Sequence, residues 1–447
     1  MRLLTSWDRA SLFAVTSAVF VSSACGAGFD PEVVHDDDDG RDEAAVSSLL
    51  APCEYHNPHE DVVAWMRATE EAACPTELLE NRGSKVETER HLFGFNKFAY
   101  DVVASDKLGA RRALPDTRHE TCRSVDYALD NLPRVSIVII YYNEALSVLL
   151  RMLRSILDRS PPQLVREVLL YDDCSDADAV IHGPLDAFVE HVTSTLLTPF
   201  RFRLHQSLVR NGLIRARINA ARLAVGPVLV FLDSHCEVNI DWLQPLIVPI
   251  ADNRKTIALP VVDIIHPYNF NYSAAQVAKG GFDWSLAFRW EYFPGGHFVD
   301  QPANHVRPQR SPAMSGGLFA VDKTFFHELG EYDPLLDVWG GESIELSLKA
   351  WMCGGSIALV PCSRVGHVFR YRRPYRDLNG SSGRNLVRVA LTFFGPTQQE
   401  RFFAQRPELR AFATEDVTDR KQLLRSLGCR DINWYLDNVY TELRDSS

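Results

Sequence analysis

Val135-Ser136-Ile137-Val138-Ile139-Ile140-Tyr141 is followed by Tyr142-Asn143-Glu144, and then by apolar residues at helical spacing: Leu146, Leu149, Leu150, Leu153, Ile156 and Leu157. The first run is apolar except for Ser136 and rich in β-branched residues, as a strand buried on both faces must be. The second changes the period from two to about 3.6, the mark of an amphipathic helix, and Pro161-Pro162 stops it. The unit recurs. Glu167-Val168-Leu169-Leu170-Tyr171 reads as a second strand ending in Asp172-Asp173, Gly212 to Val225 as a helix, and Pro227-Val228-Leu229-Val230-Phe231-Leu232 as a third strand ending in Asp233. Strands alternating with helices predict an α/β class, a mostly parallel sheet with helices on both faces. In such open sheets ligands bind beyond the carboxyl ends of the strands. Here those ends carry Asn143-Glu144, Asp172-Asp173 and Asp233-Ser234-His235. The first strand is followed by no G-x-G-x-x-G and no Walker lysine loop, which argues against a dinucleotide fold or a P-loop ATPase.

The 447 residues suffice for one large domain with accessory segments, and the 46% hydrophobic and 23% charged fractions are those of a globular chain. A net charge of −11 argues against nucleic acid as a partner, because phosphate recognition needs positive charge. Part of that charge sits in the tether-like run His35-Asp36-Asp37-Asp38-Asp39-Gly40. Arg2 and Arg9 flank an apolar stretch from Ala10 to Phe29. Two readings of it stand open, a cleaved signal peptide and a signal anchor that only just reaches the span of about 20 residues. Either directs the chain to the secretory pathway, where disulfides persist. Nine cysteines leave at least one thiol unpaired or in a removed segment, and Cys53 and Cys74 are candidates for a local pair. Asn271-Tyr272-Ser273 and Asn379-Gly380-Ser381 are candidate N-glycosylation acceptors.

Chemistry concentrates at Asp233-Ser234-His235. In extended chain, residues i and i+2 project to one side, so a carboxylate and an imidazole converge. Oxygen and nitrogen donors suit Mn²⁺ and leave positions open for diphosphate oxygens. His367, in Val365-Gly366-His367-Val368-Phe369, is a candidate third ligand. Trp339-Gly340-Gly341-Glu342 offers an indole face and a carboxylate suited to a sugar, and Ser315-Gly316-Gly317 permits close approach of backbone to ligand. Arg210, Arg215 and Arg217 surround the start of the Gly212 helix, where a phosphate would meet both arginine and the positive helix end. Arg215 and Arg217 cannot face the same way, so one is expected to be a solvated surface charge.

With these motifs the chain resembles the polypeptide N-acetylgalactosaminyltransferases, from about Leu114 to Leu443. The resemblance is carried by Leu114-Pro115-Asp116-Thr117-Arg118, Asn143-Glu144, Asp172-Asp173, Gly212-Leu213-Ile214-Arg215-Ala216-Arg217, Phe231–Glu237, Gly280–Trp284, Gly316-Gly317-Leu318-Phe319, Asp337–Glu342, Cys353–Gly355, Cys362–Arg370 and Trp434-Tyr435-Leu436. It implies a GT-A fold, the nucleotide-diphospho-sugar transferase architecture, over 91–447, with a nucleotide-sugar half at 133–240 and an acceptor half with a C-terminal lid at 241–447. It implies that Asp233, His235 and His367 hold Mn²⁺ against the UDP diphosphate. Asp173, Arg210, Ser234, Trp339, Arg370 and Tyr375 would form the UDP site. Arg217, Gly316, Gly317 and Glu342 would hold GalNAc, with Glu342, Asp233 and Arg217 as the catalytic set. Phe282, Trp284 and Phe369 would line the peptide groove, and Cys122–Cys362 and Cys353–Cys429 would be disulfides. The sequence departs from the family pattern at Tyr142, where His is usual, at Ser315, where Ala is usual, over Glu291–Arg310, and after Arg388, where Val389-Ala390-Leu391-Thr392-Phe393-Phe394-Gly395 replaces an acidic–aromatic helix.

The expected protein is therefore a retaining enzyme that transfers GalNAc from UDP-GalNAc to Ser or Thr of polypeptides. It is expected at the Golgi membrane as a single-pass type II protein, or secreted if the apolar segment is cleaved. A cytosolic tail is expected at 1–9, the anchor or signal at 10–29 and a stem at 30–90. Because the sequence stops shortly past Leu443, no lectin domain is expected. The alternatives are a related transferase with another UDP-sugar donor, and a non-catalytic pseudo-transferase that binds glycoproteins.

Overall fold

The computed structural model describes residues 85–176, 181–195, 200–370, 372–374 and 380–445. The apolar segment at 10–29, Cys53, Cys74, Tyr375 and Asn379 lie outside them. Among the described residues no helix is long and apolar enough to cross a membrane.

The three expected strands form as β1 (Val135–Tyr141), β2 (Val165–Asp172) and β4 (Val228–Asp233), with β3 (Phe202–Gln206) between the last two in sequence. β1 pairs in parallel with both β2 and β4, and β2 with β3. The remaining strands are β5 (Cys236–Val238), β6 (Thr256–Ile265), β7 (Tyr272–Ser273), β8 (Ala278–Phe282), β9 (Phe288–Tyr292), β10 (Gln309–Arg310), β11 (Phe319–Asp322) and β12 (Ser356–Val368). The main sheet runs β10-β12-β6-β11-β4-β1-β2-β3, with β5 on β12 and β7 on β6, while β8 and β9 form a separate hairpin. β11 is antiparallel to both neighbours, β4 and β6, whereas β6 and β12 pair in parallel over their length. The sheet is thus mixed, with its long pairings mostly parallel.

β1 shows why the fold forms. Val135, Ile137, Ile139 and Tyr141 join one apolar cluster, and Val138 and Ile140 join the cluster on the other face. Helix Leu146–Arg159 buries Leu146, Leu149, Leu150, Leu153 and Ile156 against the first face. Fully burying each such side chain contributes about 1.5–3 kcal/mol. Helices Leu213–Leu223 and Glu342–Met352 cover the other face.

Helix Lys85–Phe98 begins within the expected stem. With Tyr100 and helix Val102–Leu108 it packs on Ala145, Val148, Ile265, Phe270 and Val368. Both inferred disulfides form, Cys122–Cys362 and Cys353–Cys429. Cys174 is also disulfide-bonded, and Cys236 is a buried free thiol.

Candidate active site

At the carboxyl ends of β1 and β4 the chain opens a cleft of about 910 Å³. Asp233 is the last residue of β4, set beside Ile140 of β1. A turn through Ser234 and His235 leads into β5, which runs antiparallel to the end of β12 and sets Cys236 opposite His367. That pairing, with the His235 carbonyl accepting from the Val368 N–H at 3.0 Å, brings the two histidines together from 132 residues apart in numbering, His235 against His367. Their ring centroids lie 4.7 Å apart, and His367 Nε2 is 3.4 Å from Asp233 Oδ2.

One ligand atom from each of Asp233, His235 and His367 lies within 4.8 Å of the others. Several observations fit a cation there. His367 Nδ1 is buried without a hydrogen-bond partner among the described atoms. His235 commits Nδ1 to Glu144 Oε2 at 3.0 Å, which leaves Nε2 as its donor atom. Burial, reinforced by the charge of Arg370 and outweighing Glu144, pushes the His235 pKa down to about 4, so the ring is neutral at physiological pH. Burial would raise the Asp233 carboxyl, but His367, Arg217 and His235 overcome it and hold it well below the usual carboxylate range. A neutral His235 ring beside an ionised Asp233 carboxylate suits a divalent cation, which binds deprotonated ligands. Gly317 makes room for the carboxylate, since a Cβ there would stand 2.3 Å from Asp233 Oδ2.

Arg217 and Glu342 form the neighbouring wall. Arg217 is buried in helix Leu213–Leu223 and gives Nη2 to Asp233 Oδ1 at 2.9 Å. Its Nη1 lies 3.8 Å from Glu342 Oε1, with no hydrogen bond made. Glu342 opens helix Glu342–Met352, and its Oε2 accepts the Gly340 N–H at 2.8 Å. Burial raises its pKa, opposed by Arg217. Arg215 is the solvated member of the arginine pair, half exposed and paired with Asp337.

Arg210, Ser234, Trp339, Arg370, Gly316, Gly317 and Phe369 all line the cleft. Arg210 lies over the Tyr142 ring, 3.6 Å from its centroid, and pairs with Asp173. Trp339 stacks beneath Arg373 at 3.8 Å. Asp173, expected at the nucleotide, is paired with Arg210. It is fully buried off the cleft wall, and its carboxylate accepts the Asn211 and Gly212 N–H groups, each at 2.8 Å, besides Arg210. Its carboxylate ties Arg210 to the turn at Gly212. That turn has φ +79, and a Cβ at 212 would meet Val338 Cα at 2.6 Å, so only glycine fits.

Phe282 and Trp284 also differ from expectation. They are 0% and 2% exposed, packed in the core against Tyr435 and Tyr440 and against Phe394 respectively. The apolar cleft wall is instead Leu286, Phe288, Trp290 and Phe369. The alternation Phe288-Arg289-Trp290-Glu291-Tyr292 was the available sequence signal for the outward aromatic face. Glu144 was noted only as a strand-end acid. It is buried at the centre of the site and bonded to Tyr100, Ser234, His235 and Arg370. Burial opposes its ionisation, but Arg370, His235 and Ser234 hold its pKa far below the ordinary value.

A mixed sheet with an Asp-x-His turn at the end of its central strand and an acid–arginine wall beside it defines a GT-A nucleotide-sugar transferase. The Glycosyl transferase family 2 model matches residues 136–326, and that of the N-terminal domain of galactosyltransferase matches 297–374. The chain is 43% identical over 406 residues to Probable N-acetylgalactosaminyltransferase 8 of Caenorhabditis elegans, covering 90% of this chain and 94% of that one. It is 45% identical over 355 residues to Polypeptide N-acetylgalactosaminyltransferase 11 of Xenopus tropicalis, covering 79% of this chain but 58% of that protein's length. The crystal structure of GalNAc-T7 with UDP, GalNAc and Mn²⁺ superposes with a TM-score of 0.73 at 31% identity, over 80% of this chain and 66% of that one. The chain belongs to the polypeptide N-acetylgalactosaminyltransferase family.

Proposed function

We propose that this chain is a retaining transferase that moves GalNAc from UDP-GalNAc to Ser or Thr hydroxyls of polypeptides, with Mn²⁺ held by Asp233, His235 and His367. The observation that carries the reading is the convergence of those three ligands, Arg217 and Glu342 in one cleft. The UDP, GalNAc and Mn²⁺ in the superposed crystal structure, and the activity named for the relatives, support it.

Bound Mn²⁺ would neutralise charge on the departing diphosphate. Arg217 holds Asp233 with one nitrogen and keeps Nη1 for a donor oxygen. Glu342, fixed at the start of its helix, accepts from sugar hydroxyls and orients the ring. Among the described residues, the carboxylates lining the cleft are Glu144, Asp233 and Glu342. Glu144 is saturated by hydrogen bonds, Asp233 is held as a metal ligand and Glu342 as a sugar ligand. None is left to attack the anomeric carbon, so front-face attack with retention fits better than a two-carboxylate double displacement. Phe369, Phe288 and Trp290 receive the acceptor polypeptide. We place this activity in the lumen of the secretory pathway, at the Golgi membrane; the disulfides suit that oxidising compartment.

The test is transfer by the full chain with a panel of UDP-sugars and Thr-rich peptides. UDP-GalNAc should exceed UDP-GlcNAc by roughly tenfold to a thousandfold, because an unpaired buried sugar ligand is costly. Equal rates would favour a transferase with another donor. Binding of UDP without transfer from any donor would favour a non-catalytic role.

A further inference from the structure

Glu144 accepts from more groups than any other carboxylate at the cleft. Its Oε1 accepts the Tyr100 hydroxyl and the Ala145 N–H at 3.2 Å. Its Oε2 accepts the Ser234 hydroxyl at 2.6 Å and Arg370 Nη2 at 2.8 Å, and faces His235 Nδ1 at 3.0 Å. These groups come from the segment between two N-terminal helices, the turn after β4, and the exit of β12. One buried side chain thus joins pieces that are far apart in sequence.

We propose that Glu144 is the positioning residue of the metal centre: it accepts a hydrogen bond from the His235 Nδ1–H, so that Nε2 presents its lone pair to the cation, and with the same oxygen it holds Arg370 at the cleft. The inference rests on the reading of Asp233, His235 and His367 as a cation site. The argument is one of hydrogen-bond sign. A carboxylate oxygen only accepts, so the ring nitrogen 3.0 Å from it carries the proton. Arg370 Nη2 lies 3.2 Å from the same ring nitrogen, but as a donor it has the carboxylate at 2.8 Å to satisfy it. Without the carboxylate, Arg370 and the Ser234 hydroxyl would both face Nδ1, and the ring would do better to turn its lone pair to them. The proton would then move to Nε2 and block the ligand atom. Carboxylates beyond the ligands fix metal-bound histidines in this way, and their loss typically costs about 10–100-fold in metal affinity.

Glu144→Gln keeps the volume and removes the charge. Mn²⁺ affinity of the purified full chain, read from the electron paramagnetic resonance signal of free Mn²⁺, should fall about tenfold to a hundredfold in this variant. Glu144→Asp should recover part of the loss, and Tyr100→Phe, which removes one donor to Oε1, should bind Mn²⁺ within about threefold of wild type. Equal affinity in wild type and Glu144→Gln would overturn the proposal. Absence of Mn²⁺ binding by wild type would instead overturn the cation reading beneath it. Should Glu144→Gln fail to fold, the wild-type chain still decides: ¹⁵N-histidine spectra of the metal-free protein should show His235 protonated at Nδ1, and protonation at Nε2 would refute the assignment.

Discussion

Replacing Gly317 by Ala tests the metal centre without substituting any of its ligands. Gly317 adopts no left-handed backbone, so alanine is accommodated by the main chain. Its new Cβ would lie 2.3 Å from Asp233 Oδ2 and 3.1 Å from Cγ. Ordinary contact begins near 3.4 Å, so the carboxylate must retreat by about 1 Å. Asp233 is held there by Arg217 at 2.9 Å and His367 at 3.4 Å, and both contacts would be lengthened or lost. A misplacement of about 1 Å at a reacting centre costs about a hundredfold in rate, or about 2.7 kcal/mol of barrier. Because a side-chain tip is displaced, and no backbone, the fold should survive with a melting temperature within a few degrees of wild type. The assay is kcat/KM for transfer from UDP-GalNAc at saturating peptide, together with Mn²⁺ affinity and a thermal melt. Gly183→Ala, whose Cβ would meet nothing within 4 Å, should behave as wild type. Wild-type rate and affinity in Gly317→Ala would refute the placement of the Asp233 carboxylate.

Other outcomes follow from the same geometry. Activity should vanish with chelator, and Asp233→Ala or His367→Ala should lower transfer about a hundredfold or more at saturating Mn²⁺; full metal-free activity of Asp233→Ala would sink the site. Cys429→Ser should destabilise the protein by about 2–5 kcal/mol and leave Cys353 free, and peptide mapping that finds Cys353 bonded elsewhere would contradict the pairing. Arg388 is buried and gives Nε and Nη2 to buried Asp333 at 3.0 and 2.9 Å. Arg388→Met strands that carboxylate, so denaturant unfolding should show a loss of about 3–5 kcal/mol, and a loss under about 1 kcal/mol would count against the ion pair.

The nucleotide-binding half was legible because its signals are local. β1, β2 and β4 are continuous apolar runs with polar ends, and helix Leu146–Arg159 repeats at helical spacing. The antiparallel insertion of β11 between β4 and β6 was not legible, because a four-residue strand has no distinguishing period. Asp233 and His235 declared themselves as a pair two residues apart. His367 could be named only as a candidate third ligand, since what brings it there is the pairing of β5 with β12. Glu144 stood in view at a strand end, yet its partners arrive from separate segments. Phe282 and Trp284 were expected at the groove through the resemblance, and nothing local in the sequence shows that they are covered. Tyr435, Tyr440 and Phe394 cover them, and the open face falls to Phe288 and Trp290.

The helix that begins with Glu342 ends at Met352, and the next residue, Cys353, is bonded to Cys429. Its far end is thus riveted to a segment that also delivers Tyr435 and Tyr440, both wholly buried, to the core beside Phe282. On the ribosome those residues emerge after every ligand and every cleft residue has been made. The cleft can therefore be written in full in a nascent chain while the far end of the Glu342 helix still lacks its disulfide partner. The Cys353–Cys429 bond can form only once the last cysteine of the chain has been made. A chain cut short before Cys429 would lack that bond and both of the buried tyrosines that follow it.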